Sequence, residues 1–243
     1  MAPPRKTEIL VLQHTESEYL GLLEDHFEQR AIRFTYLRPF VPGGKVPTTD
    51  AGADALILLG AGPRGVSSGA ILPTLAAELR LTRLFLGAGK AVIGFGQGAA
   101  ILALAAGGGV EDSPYRAELS FLSRSRDDAL GGHFPERMPL FRCARDFPLP
   151  PATADILARD EQGRPAVFAL GNSLGFSGHP GAKRGMIEDL IMEFPDLPEN
   201  FDQGFADLIA HQRAIAESLS TLAVGLCLAC GLMGEEERPN EGD

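Results

Sequence analysis

The stretch that most constrains the fold of this 243-residue chain is KAVIGFGQGAAILALAAGGGV, residues 90–110. Its first residues form a short apolar run, suited to a strand buried on both faces. The turn GFGQG follows at once, and then a run of small apolar residues suited to a closely packed helix. A strand that passes through a tight turn into a helix is the layout of a nucleophile elbow. There the turn residue projects into a cleft, and the helix amides face any negative charge that develops. The residue at the tip of this turn is Gly96, which has no side chain and can perform no nucleophilic chemistry.

Similar units precede it. Residues 8–13 (EILVLQ), 31–37 and 54–59 (DALILL) read as strands, and the third ends in the glycine-rich turn GAGPRG. Ser17 and Glu18 are expected to open an amphipathic helix with Tyr19, Leu20, Leu23 and Phe27 on one face. Residues 71–83 read as a second helix. Short apolar strands alternating with helices predict a parallel sheet covered on both faces. Ligands in such sheets sit at the carboxyl ends of the strands, which points to the turns after Leu59 and Phe95. Beyond Val110 the texture changes. Residues 115–145 are rich in charges and turn residues and predict a small antiparallel excursion. Strands recur at 156–159, 166–170 and 174–177, and a helix at 185–194 is stopped by Pro195 and Pro198. A helical pair is expected over 202–233, followed by a disordered acidic tail over 234–243.

Composition narrows the function. Twenty-two basic against 32 acidic residues give a net charge of −10 without a basic cluster, so no nucleic-acid partner is expected. Of the three cysteines, Cys227 and Cys230 form a C-x-x-C inside an apolar run, with no second ligand pair and no βα pattern after them. They are expected to be buried structural thiols. Residues 218–234 carry no charge but are short and weakly apolar for lipid, so a buried helix is expected and no membrane span. The first residues, MAPPRKTEILVLQ, do not read as a signal peptide, and a cytoplasmic location is expected. His14, His26, His133, His179 and His211 are scattered, so neither a metal site nor a cofactor is expected. Residues 94–98 resemble a phosphate-cradling turn but lack the G-x-G-x-x-G spacing and the Walker lysine.

Four segments together resemble class I, triad-type glutamine amidotransferases. The elbow of that family reads roughly P-V-x-G-I-C-x-G-x-Q. Here Val92-Ile93-Gly94-Phe95-Gly96-Gln97-Gly98-Ala99-Ala100 matches in register, with Gly96 at the cysteine position. Asp54 to Pro63 looks like D-x-L-I-L-x-G-G-P, whose glycine amide helps to form the oxyanion hole. That role would fall to Gly62, with the Gln97 amide as its counterpart. FRCARDFPLP (141–150) is similar to F-x-W-H-G-D-x-x-x-L-P, keeping Asp146 but placing Ala144 at the histidine. GFSGHPG (175–181) resembles G-x-Q-F-H-P-E, keeping His179 but placing Gly181 at the glutamate.

The resemblance implies an α/β, flavodoxin-like three-layer fold with a mostly parallel central sheet, a small antiparallel excursion and C-terminal helices. It divides the chain into an amidotransferase-like domain (1–195), a helical extension (196–233) and the acidic tail. The triad-equivalent positions are Gly96, His179 and Gly181, and a cysteine–histidine–glutamate mechanism needs all three. Glutaminase activity is therefore not expected. The resemblance implies a scaffold, regulatory or ligand-sensing role, with a synthetase or other protein as partner. A small molecule in the vacated pocket would meet Gly62, Pro63, Arg64, Gln97 and Gly98. The alternative is altered hydrolase or lyase chemistry in the same pocket, using His179 or Cys143.

Overall fold

A computed structural model describes residues 7–233; the acidic tail expected over 234–243 lies outside the described residues. Three apolar runs, β1 (Glu8–Leu12), β3 (Ala55–Leu58) and β4 (Ala91–Phe95), form the parallel part of a nine-stranded sheet, with the more polar β2 (Arg33–Leu37) at its edge. The strands β9 (Asp155–Arg159), β10 (Pro165–Leu170) and β11 (Ser173–Phe176) continue it. The strands β6 (Arg116–Arg124) and β7 (Arg137–Ala144) complete it, in the order β2-β1-β3-β4-β11-β10-β9-β6-β7. Pairing is parallel from β2 through β11 and antiparallel beyond.

The antiparallel excursion expected over 115–145 is thus larger than a local flap. Its two strands join the main sheet, because β6 pairs with β9 at Ser123 and Arg124. Sequence spacing conceals this, since the partner lies more than thirty residues downstream. A separate two-stranded sheet joins β5 (Gly109–Glu111) to β8 (Phe147–Leu149).

Successive strand residues face opposite sides, and two hydrophobic layers follow from that. Ile9, Val11, Ile57 and Ile93 pack with α1 (Leu23–Gln29) and α5 (Phe201–Ala229). Leu10, Leu12, Leu56, Leu58 and Val92 pack with α2 (Leu75–Gly87) and α3 (Gln97–Ala105). Each fully buried Leu or Ile contributes about 1.5–3 kcal/mol, so both faces of the parallel strands must be apolar.

Two helices differ from expectation. The helix expected from Ser17 begins only at Leu23. The Leu20 amide donates to the Tyr36 hydroxyl at 2.9 Å and the Leu22 amide to the Gly181 carbonyl at 3.0 Å, so tertiary partners take bonds that a helix would have used. The helical pair expected over 202–233 is one 29-residue helix, α5. No proline interrupts it, and its buried residues Leu208, Ile215, Leu219, Leu222 and Leu226 keep one helical stripe along it. The expected boundary near residue 195 falls between α4 (Arg184–Glu193) and α5. The apolar face of α5 nevertheless belongs to the same core as β1 and β3. Among the described residues, no helix is long and apolar enough to cross a membrane. Cys227 and Cys230 are buried in and just beyond α5, and no disulfide joins them.

Candidate functional site

The elbow forms as the sequence implies. Gly96 lies between β4 and α3 at φ 53°, ψ −113°, a conformation that strains residues with a Cβ. A Cβ built there would meet only the Ala144 methyl, at 3.9 Å. The geometry of a nucleophile tip is present, with empty space where a side chain would stand.

His179 and Gly181 come to the same place. β11 leads out beside β4, and the His179 amide donates to the Phe141 carbonyl at 2.8 Å, holding the segment against β7. Gly96, His179 and Cys143 line one small cavity, of about 30 Å³ open to the centre of a water-sized sphere. Both imidazole nitrogens are committed. Nε2 donates to the Tyr19 carbonyl at 2.8 Å, and Nδ1 accepts the Gly181 amide at 3.1 Å. That assignment follows from the partners, since a carbonyl only accepts and an amide only donates. Burial pushes the imidazole down to about 4, so it is neutral near pH 7 with no lone pair free to take a proton.

Cys143 is no better placed to react. Its thiol donates to the Tyr115 hydroxyl at 3.3 Å, and burial pushes it up to about 12. The thiolate needed for attack is therefore scarce at neutral pH.

Glu18 is the site residue that motif reading misses. Its Oε1 accepts the Gly62 amide at 2.7 Å, the amide to which the oxyanion role would fall. The carboxyl lies close to the backbone of residue 60: a Cβ there would come within 1.6 Å of Oε2, so a larger residue would displace the Glu18 side chain. Burial is the main cause that pushes Glu18 up to about 7. The Gly62 amide and His14 oppose that rise, and Glu193 adds to it. The loop that delivers Glu18 is clasped at both ends. Glu193, at the end of α4, accepts the Glu16 and Ser17 amides at 3.0 and 2.9 Å, and Gly181 accepts Leu22. Nothing in the local sequence marks Glu18, because its partner amide is 44 residues away.

Beneath it lies a second buried pair. His14 Nδ1 donates to the Gly60 carbonyl at 2.9 Å, and Nε2 meets Glu78 at 2.8 Å. Burial lowers the His14 pKa, but Glu78 and the Gly60 carbonyl outweigh it and hold the imidazole above its ordinary value.

Of the remaining candidates, Pro63 and Arg64 line a different, larger cleft. Gln97 is buried; with its amide turned to suit both neighbours, it donates to the Arg145 carbonyl at 3.1 Å and accepts the Val66 amide at 2.8 Å. Gly98 packs against the Leu58 carbonyl. Asp146 accepts the amides of Val66, Ser67 and Ser68 and the Ser68 hydroxyl. Burial raises its pKa, but these donors prevail and hold the carboxyl below the usual range. Asp146 thus pins the loop after β3 to the end of β7. Among the described residues, no three or more His, Cys, Asp or Glu side chains gather as a metal site would require.

Solved structures share this architecture over nearly their whole length. A glutamine amidotransferase from Thermotoga maritima superposes with a TM-score of 0.75 at 22% identity, over 91% of this chain and 99% of the other. This is the glutamine amidotransferase fold. A glutamine amidotransferase from Methylobacillus flagellatus gives a TM-score of 0.74 at 19% identity, over 97% and 100% of the two chains. A putative GMP synthase subunit from Thermoplasma acidophilum gives 0.59 at 15%, over 86% and 98%. The sequence matches no family model and no curated protein. The elbow, the loop after β3 and the His179 segment stand at the carboxyl ends of the parallel strands, where ligands sit in open α/β sheets.

Proposed function

We propose that this chain is an amidotransferase-fold protein without glutaminase activity, retained as a scaffold, regulator or ligand sensor for a synthetase or other protein partner. The observation that carries this reading is the Glu18–Gly62 hydrogen bond. An oxyanion-hole amide stabilises a developing negative charge only if it is free to receive it, and here the chain's own carboxylate holds it. Two further observations agree: Gly96 offers no nucleophile, and His179 has both nitrogens bonded to backbone. Support for a partner is the structural likeness to the putative GMP synthase subunit, whose name makes it one part of a synthase. The segment beyond residue 195, whose helix α5 closes the shared core, is the candidate docking element for such a partner.

An electrophilic glutamine analogue, such as a chloroketone, tests the reading. A triad-type elbow thiol is open to alkylation by such a reagent. Intact-mass measurement at pH 7.5 is expected to show no adduct on this protein. An adduct mapped to Cys143 would instead support altered chemistry built on that thiol.

A further inference from the structure

Beside the small cavity opens a second cleft of about 870 Å³, within the size range of sites for small organic ligands. Tyr115 forms part of its wall, and its hydroxyl accepts from the thiol of Cys143, which lines the small cavity. Three guanidinium groups line the cleft: Arg64 from the loop after β3, Arg116 from the start of β6, and Arg145 from the turn between β7 and β8. They come from sequence positions far apart, so the fold itself gathers them, in a chain whose net charge is −10. Arg145 Nε donates to the Pro63 carbonyl at 2.8 Å, and its guanidinium lies 6.0 Å from the centre of the Tyr115 ring. That fixes one cation at the wall. The guanidinium groups of Arg64, which is partly buried, and of Arg116 form no ion pair of 4.0 Å or less and no hydrogen bond among the described residues.

Asp196 and Glu199 also line the cleft, and neither forms an ion pair of 4.0 Å or less with these arginines among the described residues. The two carboxylates would oppose an anion brought to their side and favour a ligand whose far end donates hydrogen bonds. Phe194 and Tyr115 supply aromatic surface. Planar guanidinium groups match the oxygens of phosphate and carboxylate, each offering paired donors.

We infer that this cleft binds a small organic anion, a phosphate monoester or a polycarboxylate, whose charged oxygens are held by Arg64, Arg116 and Arg145. This rests on the ligand-sensing reading and gives it a ligand class; its failure would leave the absence of glutaminase activity untouched.

Calorimetric titration of the full chain with AMP and, separately, with citrate at 0.15 M salt tests the inference. Saturable binding of at least one is expected. Arg64→Gln and Arg116→Gln should each weaken it about tenfold or more, because a hydrogen bond to a charged group contributes about 1.5–3 kcal/mol. Tighter binding of AMP would identify the phosphate source, and tighter binding of citrate the carboxylate source. Both variants should melt at the wild-type temperature without ligand, which separates lost binding from lost folding. No heat from either ligand at millimolar concentration, or binding unchanged in both variants, would overturn the proposal.

Discussion

Three side chains decide the character of the small pocket, and each does so by being occupied. His179 is held between the Tyr19 carbonyl and the Gly181 amide, Cys143 bonds to Tyr115, and Glu18 fills the Gly62 amide. The Glu18 carboxyl gives a quantitative prediction. It keeps its proton up to about pH 7 in the folded chain but releases it near 4.5 when unfolded. Between those values the native state binds more protons. Its contribution to stability is therefore complete below about pH 4.5 and is lost as pH rises through 7. Glu18→Gln keeps an oxygen for the Gly62 amide and cannot ionise. The variant should match the wild type in unfolding free energy near pH 4.5 and exceed it at pH 8 by up to about 3 kcal/mol. Urea unfolding of both proteins across that range checks it; a difference that does not change with pH would show that Glu18 is not a buried titrating group.

Among the elements, α5 shows most clearly what can and cannot be read from local pattern. Its apolar stripe is visible in sequence, and so are the strands β1, β3 and β4, because runs buried on both faces contain nothing polar. That α5 is unbroken, and that it closes the face of the sheet already covered by α1, depends on packing against strands far away in sequence. Leu222 is completely buried in the core that α5 shares with β1 and β3. Leu222→Ala should cost about 2–5 kcal/mol, measured by chemical denaturation. A loss below about 1 kcal/mol would mean that the helix is an appendage and not a wall of the core. The elbow backbone is legible because strand, turn and helix follow one another directly. Glu18, His14 and Glu78 are not, because each acts through a partner more than forty residues away. The region around Glu18 also resembles the start of a helix, whereas tertiary bonds hold it as a loop aimed inward.

On the scale of the whole molecule, the amidotransferase fold is present, and the small pocket beside its elbow is lined by side chains already bonded within the chain. The sheet, the helices on both faces and the elbow backbone are all present among the described residues, so the proposed lack of glutaminase activity would come from the side chains at the elbow and not from a damaged scaffold. The larger arginine-lined cleft is linked to the small pocket by one hydrogen bond, from the Cys143 thiol in the pocket to the Tyr115 hydroxyl in the cleft wall. Release of ammonia from L-glutamine by the purified full chain is the most direct measurement of the central claim. The rate should equal that of the buffer alone at every glutamine concentration from pH 6 to 9. A saturable rate above that background, abolished by His179→Ala, would contradict the account.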